Sequence, residues 1–201
     1  IEMVHGGEDF RPLAEMVDER AIVNAIVGLL ATGGSTNHTL HLVAIAKAAG
    51  VMVNWSDFAD LSDAVPLLAR IYPNGPADVN HFHDAGGLGF VIRELLDAGL
   101  LHEDILTVAP DGFRSYTEQP TLENQTLVRR ALPTDSGDDD IVRPYGNPFQ
   151  GNGGMCVLDG NLGRAVMKTS AVLEEHWTIE APARVFDNQR SLLESFEKGE
   201  L

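Results

Sequence analysis

A glycine pair interrupts the most apolar part of the chain, residues 21–50, and constrains the fold more than any other feature. Before the pair, apolar residues recur at helical spacing and predict a helix buried on most faces: Ile22, Ile26, Leu29 and Leu30. The Gly33–Gly34 pair ends that helix, because glycine weakens helices and allows the chain to reverse. Ser35 or Thr36 can then cap a second helix, which Gly50 ends. Polar residues recur too often here for a membrane span.

Residues 51–99 continue as an alternation of short extended pieces and helices. Pro66 favours an extended segment after it, because the residue before a proline avoids helical geometry. The predicted elements are a buried strand at Val51–Val53, a helix capped by Ser56–Asp57 and running toward Leu61, an extended segment at Leu67–Ile71, a turn at Pro73–Pro76, and helices at Val79–Ala85 and Leu88–Ala98. Gly86–Gly87 separates the last two helices, and Gly99 ends the second. This alternation is typical of a layered α/β architecture.

The character of the sequence changes after about Pro133. An acidic, turn-rich connection leads to short apolar pieces separated by the turn signals Gly151–Gly154 and Asp159–Asn161. The predicted elements are strands at Ile141–Val142, Met155–Leu158, Ala165–Met167 and Ala183–Phe186, and a helix near Ser191–Glu197. The sequence therefore predicts an α/β domain over residues 1–134, followed by a linker and the first part of a mostly β domain over residues 135–201.

Charge and cysteine content limit the partners and the compartment of the protein. Fourteen basic and thirty acidic residues give a net charge of −16, which disfavours general nucleic-acid binding. A single cysteine, Cys156, excludes an internal disulfide and fits a reducing cytoplasm. The chain begins with isoleucine and shows no leader sequence, so we expect it to be a segment of a longer protein.

The turn between the first two predicted helices is the best candidate for a ligand site. Its residues Gly34, Ser35, Thr36, Asn37 and His38 combine backbone flexibility, hydroxyls, an amide and an imidazole. A helix N-terminus after glycines can bind a carboxylate or phosphate through its N–H groups. The alternative is a purely structural turn with a hydroxyl cap. The turn is no P-loop, since it lacks the Gly-Lys-Ser/Thr ending.

Two other features are weaker candidates. His81 and His83 lie two residues apart beside Asp84, and on a helix they would not share a face, which argues against a zinc pair. His83 could instead provide a polar group in a pocket near the Gly86–Gly87 break, and the alternative that the pattern favours is a surface or structurally hydrogen-bonded histidine. Cys156 lies within an apolar run and is predicted to pack as a small hydrophobic residue. One thiolate is too few for an iron–sulfur cluster.

Several stretches together resemble the dihydroxy-acid dehydratase/6-phosphogluconate dehydratase family over essentially the whole chain. Residues 29–41 resemble the helix–turn–helix signature of the family, LLATGGSTNHTLH. Residues 66–75, 77–82, 94–104 and 160–166 resemble its 6-phosphogluconate branch in particular: PLLARIYPNG, ADVNHF, ELLDAGLLHED and GNLGRAV.

The resemblance implies a hydro-lyase that converts 6-phospho-D-gluconate to 2-dehydro-3-deoxy-6-phosphogluconate. A base takes the C2 proton, while a 4Fe-4S cluster acts as Lewis acid on the departing C3 hydroxyl. The resemblance also implies a divalent metal, a homodimer, and a three-layer α/β/α domain followed by a barrel-like β domain. The family's cluster cysteines, metal carboxylates and catalytic serine lie in motifs outside this sequence, so no catalytic or metal-binding residue is assigned here.

Two alternatives stay open at this point. Within the same class, the protein could dehydrate another sugar acid or a dihydroxy-acid precursor of branched amino acids. From a different class, the chain could be a non-catalytic binding or scaffolding fragment. Cluster cysteines upstream of this segment would favour the enzyme.

Overall fold

The computed structural model describes Gly7 and residues 10–201, which combine α-helices with two antiparallel hairpins. The helices are α1 (Leu13–Met16), α2 (Glu19–Ala31), α3 (Thr36–Ala48), α4 (Trp55–Ala64), α5 (Val79–Asp84), α6 (Gly87–Asp97) and α7 (Gln189–Glu197), with 3-10 helices at Phe113–Thr117 and Glu174–His176. The strands are β1 (Glu118–Glu123), β2 (Thr126–Ala131), β3 (Met155–Gly160) and β4 (Gly163–Lys168). In the part of the chain that is described, no helix is long and apolar enough to cross a membrane.

Helix α2 lies at the centre of the hydrophobic core. Asp18 caps its N-terminus by accepting a hydrogen bond from the backbone N–H of Ala21 at 2.8 Å. The predicted apolar face is confirmed, because its four residues are at most 3% exposed: Ile22, Ile26, Leu29 and Leu30. Helices α3, α4 and α6 pack against this helix. The predicted helix Leu88–Ala98 corresponds to α6, whose buried residues are Gly87, Phe90, Val91, Leu95 and Leu96.

The segment Leu67–Ile71 is extended, as predicted, and it runs through the core. The N–H of Leu67 donates to the carbonyl of Gln150 at 3.0 Å, and the N–H of Arg143 donates to the carbonyl of Leu68 at 2.8 Å. Ala69 forms a bridge with Val142, and both residues are fully buried. The chain after residue 135 therefore packs directly on the helical core.

The two hairpins are local pairs of strands. Strand β3 pairs with β4 from Met155↔Lys168 to Gly160↔Gly163, which confirms two predicted strands. The turn lies at Asn161–Leu162, whereas the sequence predicts it at Asp159–Asn161. The hairpin of β1 and β2 was not predicted. The described residues show mixed helix and strand without a closed barrel, so the three-layer and barrel-like architecture and the division at residue 134 stay predictions.

Three predicted elements are wrong in type or position. Val51–Val53 is not a strand, because the N–H of Val51 bonds back to the carbonyl of Ala46 and completes the end of α3. Asn54, not Ser56–Asp57, caps α4, while the carboxylate of Asp57 accepts a hydrogen bond from the N–H of Asn54. Ala183–Phe186 has no strand partner in the described chain and stays irregular.

Candidate functional site

The turn after α2 reverses the chain through glycines. Thr32 ends the helix, and Gly33 has a φ of +60°, a conformation that side-chain-bearing residues rarely adopt. The N–H of Gly34 donates to the carbonyl of Leu29 at 2.9 Å, and the N–H of Gly33 donates to that of Leu30 at 3.2 Å. These two bonds form a Schellman motif, which satisfies the terminal carbonyls of the helix.

Ser35 caps the next helix, as predicted. Its hydroxyl accepts a hydrogen bond from the N–H of Asn37 at 3.2 Å. Gly34 is small for a packing reason, because a methyl group there would overlap the side chain of Leu29. The structural role of the turn is therefore established, whereas its role in binding a ligand stays a prediction.

The remaining candidate side chains of the turn face outward. Thr36, Asn37 and His38 are exposed, and within the described chain none of their side chains forms a hydrogen bond. His38 borders an apolar groove that Leu29 and Val91 also line. The turn thus presents unpaired polar groups beside the first N–H groups of a thirteen-residue helix. Such groups attract an anion or a hydroxyl.

Lys168, at the end of β4, reaches the same turn. Its ammonium donates to the carbonyl of Gly33 at 2.6 Å. Burial lowers the pKa of Lys168, because desolvation disfavours the charged form. No carboxylate of the described residues forms a salt bridge with it. This hydrogen bond places a cation from the second half of the chain on the candidate turn.

Asn74 packs against the turn from the other side. A methyl group on Gly33 would lie 2.5 Å from Nδ2 of Asn74. Both polar atoms of that amide are buried and lack a hydrogen-bond partner. Asn74 lies in the predicted turn Pro73–Pro76, but the sequence pattern of that turn does not distinguish Asn74 as a site residue. The sequence analysis also missed Lys168. The one feature that could have indicated it is a single cationic residue at the end of an apolar strand.

His83 does not join this site. It lies on α5 and lines a different pocket with Asp84, Ser136 and Gly137. His81 on the same helix belongs to a capping box with Asp78, in which the N–H of Asp78 donates to Nδ1 of His81 at 3.4 Å. The backbone N–H of His81 is the largest of the interactions that lower the pKa of Asp78. Both histidines have local surroundings unrelated to the Gly33 turn.

The metal-binding capacity of the described residues is small. They contain no group of three or more histidine, cysteine, aspartate or glutamate side chains arranged to hold a metal ion. Cys156 is half-buried and unpaired in β3, where it lies opposite Met167. Its packing in a hairpin agrees with the structural role expected from the sequence.

Comparison with known proteins finds the same family at both ends of the chain. The model for the dihydroxy-acid/6-phosphogluconate dehydratase N-terminal region matches residues 1–116, and the model for the C-terminal region matches residues 140–201. The phosphogluconate dehydratase of Pseudomonas aeruginosa is 58% identical over 96% of this chain, and that of Escherichia coli K12 is 56% identical over 98%. A dihydroxy-acid dehydratase of Caldanaerobacter subterraneus is 37% identical over 94% of this chain. The chain spans about a third of the length of each of these relatives, 32%, 33% and 32% respectively.

Proposed function

We propose that this chain, which belongs to the dihydroxy-acid/6-phosphogluconate dehydratase family, is part of a hydro-lyase that dehydrates 6-phospho-D-gluconate to 2-dehydro-3-deoxy-6-phosphogluconate. One observation carries the choice of substrate. Identity is 58% to a relative named phosphogluconate dehydratase and 37% to one named dihydroxy-acid dehydratase, over nearly the same share of the chain. This difference favours the phosphorylated sugar acid over dihydroxy acids. A purely scaffolding role is the weaker alternative, because both relatives are named as dehydratases.

The contribution of this chain is substrate binding at the Gly33 turn. The substrate has a carboxylate, a phosphate and several hydroxyls, and therefore needs cationic groups and hydrogen-bond donors. The N-terminus of α3 and the ammonium of Lys168 supply positive potential. The amide of Asn37 and the imidazole of His38 are free to bond hydroxyls within the described structure. Binding energy of this kind orients the substrate for proton removal elsewhere in the enzyme.

A 4Fe-4S cluster and a divalent metal belong to the proposal for the full-length enzyme, where they would supply Lewis-acid chemistry. The residues of this chain do not fit either group. A cluster requires several thiolates, and the sequence contains only Cys156. The described residues also lack a metal-ligand cluster. We therefore place both sets of ligands on other segments of the enzyme, and we extend the proposal to a cytoplasmic homodimer.

Replacing Asn37 by alanine in the full-length enzyme tests the binding role. We expect kcat/KM for 6-phosphogluconate to fall at least about tenfold, equivalent to roughly 1.4 kcal/mol of transition-state binding. Asn80→Ala is the matched control, because Asn80 is also exposed and also occupies the second position of a helix. It should leave kcat/KM unchanged.

Ser35→Ala tests the helix-capping role of the turn separately from its proposed role in binding substrate. Loss of the cap should lower the free energy of unfolding by about 1 kcal/mol. Identical kinetics for the Asn37→Ala and Asn80→Ala enzymes, at equal melting temperature and cluster content, would leave the turn with its structural role alone.

A further inference from the structure

A polar cavity of about 580 Å³ lies next to the Gly33 turn and has no role in the function described so far. Arg70 and residues 74–76 form one wall, and residues 150–152, 170–174 and 177 form the others. The polar and aromatic residues that line it are Arg70, Asn74, Gln150, Asn152, Ser170 and Trp177, with Glu174 as its acidic member. Both family regions therefore contribute to one cavity.

The cavity contains an unusual concentration of unpaired polar atoms. Five buried side-chain atoms of the described residues lack a hydrogen-bond partner, and four of them belong to residues that line this cavity: Nδ2 and Oδ1 of Asn74, Oε1 of Gln150 and Oγ of Ser170. The fifth belongs to Glu123, whose same oxygen forms an ion pair with Arg130. Buried polar atoms are costly unless they find partners. Donors and acceptors left together in one cavity indicate a ligand that offers both, as a polyhydroxyl compound does.

Arg70 adds a cation without an acidic partner. Its guanidinium stacks over Phe149 at 4.6 Å from the ring centre and forms no hydrogen bond or salt bridge within the described structure. Arg143 stacks over the same ring at 4.2 Å but does not line the cavity, and its Nε donates to the carbonyl of Asp139. In a chain of net charge −16, an uncommitted guanidinium in a cavity favours an anion, and its planar donors suit a phosphate. Glu174 also lines the cavity, and both it and Arg70 are exposed.

Asn74 lies between the cavity and the Gly33 turn, since it lines the cavity and its buried amide packs on Gly33. On the opposite wall, Ser170 follows two residues after Lys168, which bonds the carbonyl of Gly33. Asn74 and the strand that ends at Lys168 therefore link the wall of the cavity to the Gly33 turn.

We infer that this cavity binds the phosphorylated end of the substrate, with Arg70 on the phosphate and with Asn74, Gln150 and Ser170 bonding the phosphate and the adjacent hydroxyls. The inference rests on the proposed function and deepens it. It makes the cavity the part of the site that distinguishes a phosphorylated sugar acid from an unphosphorylated one.

The test uses full-length enzyme and inorganic phosphate as a competitive inhibitor against 6-phosphogluconate. Arg70→Met should raise the inhibition constant of phosphate and the KM for 6-phosphogluconate, each roughly tenfold to a hundredfold. Arg143→Met is the matched control, because it removes the same cation from the same aromatic ring outside the cavity. It should change neither constant.

Ser170→Ala provides a second variant with a different readout. Removing an unpaired buried hydroxyl should leave the melting temperature unchanged or higher, whereas the KM for 6-phosphogluconate should rise severalfold. Equal effects of Arg70→Met and Arg143→Met, or phosphate that does not inhibit the wild-type enzyme, would overturn the phosphate subsite. A wild-type enzyme without dehydratase activity on 6-phosphogluconate would instead overturn the proposed function.

Discussion

Replacing Gly33 by alanine should damage both stability and substrate binding, and the structure provides a matched control for each effect. Gly33 follows α2 with a φ of +60°, and Gly50 follows α3 with a φ of +82°. Both glycines hold the same position of a Schellman motif. Nothing lies within 4 Å of a methyl group added at Gly50, whereas one added at Gly33 would meet Asn74 and Leu67. Comparing the two substitutions therefore separates backbone strain from lost packing.

The magnitudes follow from these contacts. A left-handed conformation costs an alanine about 1–2 kcal/mol, and this is the whole loss expected for Gly50→Ala. At Gly33 the added carbon would lie 2.5 Å from Nδ2 and 2.9 Å from Cγ of Asn74, and 3.1 Å from Cδ1 of Leu67. Overpacking of this kind costs a further 1–3 kcal/mol, roughly, so Gly33→Ala should lower the free energy of unfolding by about 2–5 kcal/mol.

Urea unfolding measures the first effect, and steady-state kinetics of the full-length enzyme measure the second. Because the overlap displaces Asn74 from the cavity, Gly33→Ala should also raise the KM for 6-phosphogluconate, whereas Gly50→Ala should not. If the two variants lose the same stability and bind substrate equally well, then Asn74 does not pack on the turn in the way that this reasoning requires.

Two further predictions concern residues outside the turn. The 201-residue chain should bind no stoichiometric iron–sulfur cluster on anaerobic reconstitution, because a cluster needs several thiolates. Cys156→Ser in the full-length enzyme should likewise leave the iron and sulfide content unchanged. A folded Cys156→Ser enzyme without its cluster would show instead that Cys156 is a ligand. Ser62→Ala should lower the free energy of unfolding in urea by about 1–3 kcal/mol, because the Ser62 hydroxyl accepts a hydrogen bond from the buried N–H of Met155 at 3.0 Å. Ser56→Ala is the control, since it loses only an exposed hydrogen bond from Arg164. It should lower the free energy of unfolding by less than half as much.

The helical half was predictable because its signals are local. The apolar spacing of α2 and α6 lies within each helix, and glycines mark their ends. Gly50 and Gly99 have the positive φ values expected of helix-terminating glycines, +82° and +71°. The error at Val51–Val53 came from residues with high strand propensity that lie between a helix end and the next helix cap. Three such residues have no sheet partner, and propensity alone does not make a strand.

The first hairpin was missed for the opposite reason. Strand β1 contains Pro120 and exposes most of its side chains, so it lacks the apolar alternation that indicates a half-buried strand. Its turn uses Asn124 and Gln125, both with positive φ, in place of the usual Asn-Gly pair. The pairing with β2 stabilises a ribbon with little buried surface, which hydrophobic periodicity cannot reveal.

The candidate site was only half predictable, because its parts are distant in sequence. The turn residues are adjacent to one another, and their glycines and hydroxyls form a recognisable pattern. Asn74 and Lys168 meet that turn only through long-range contacts, and Gln150 reaches the neighbouring cavity because it bridges to Leu67. Segments on either side of the predicted boundary at residue 134 thus complete one cavity. Substrate bound there would contact both segments, so 6-phosphogluconate should stabilise the full-length enzyme against unfolding by an amount that rises with the logarithm of its concentration relative to its Kd.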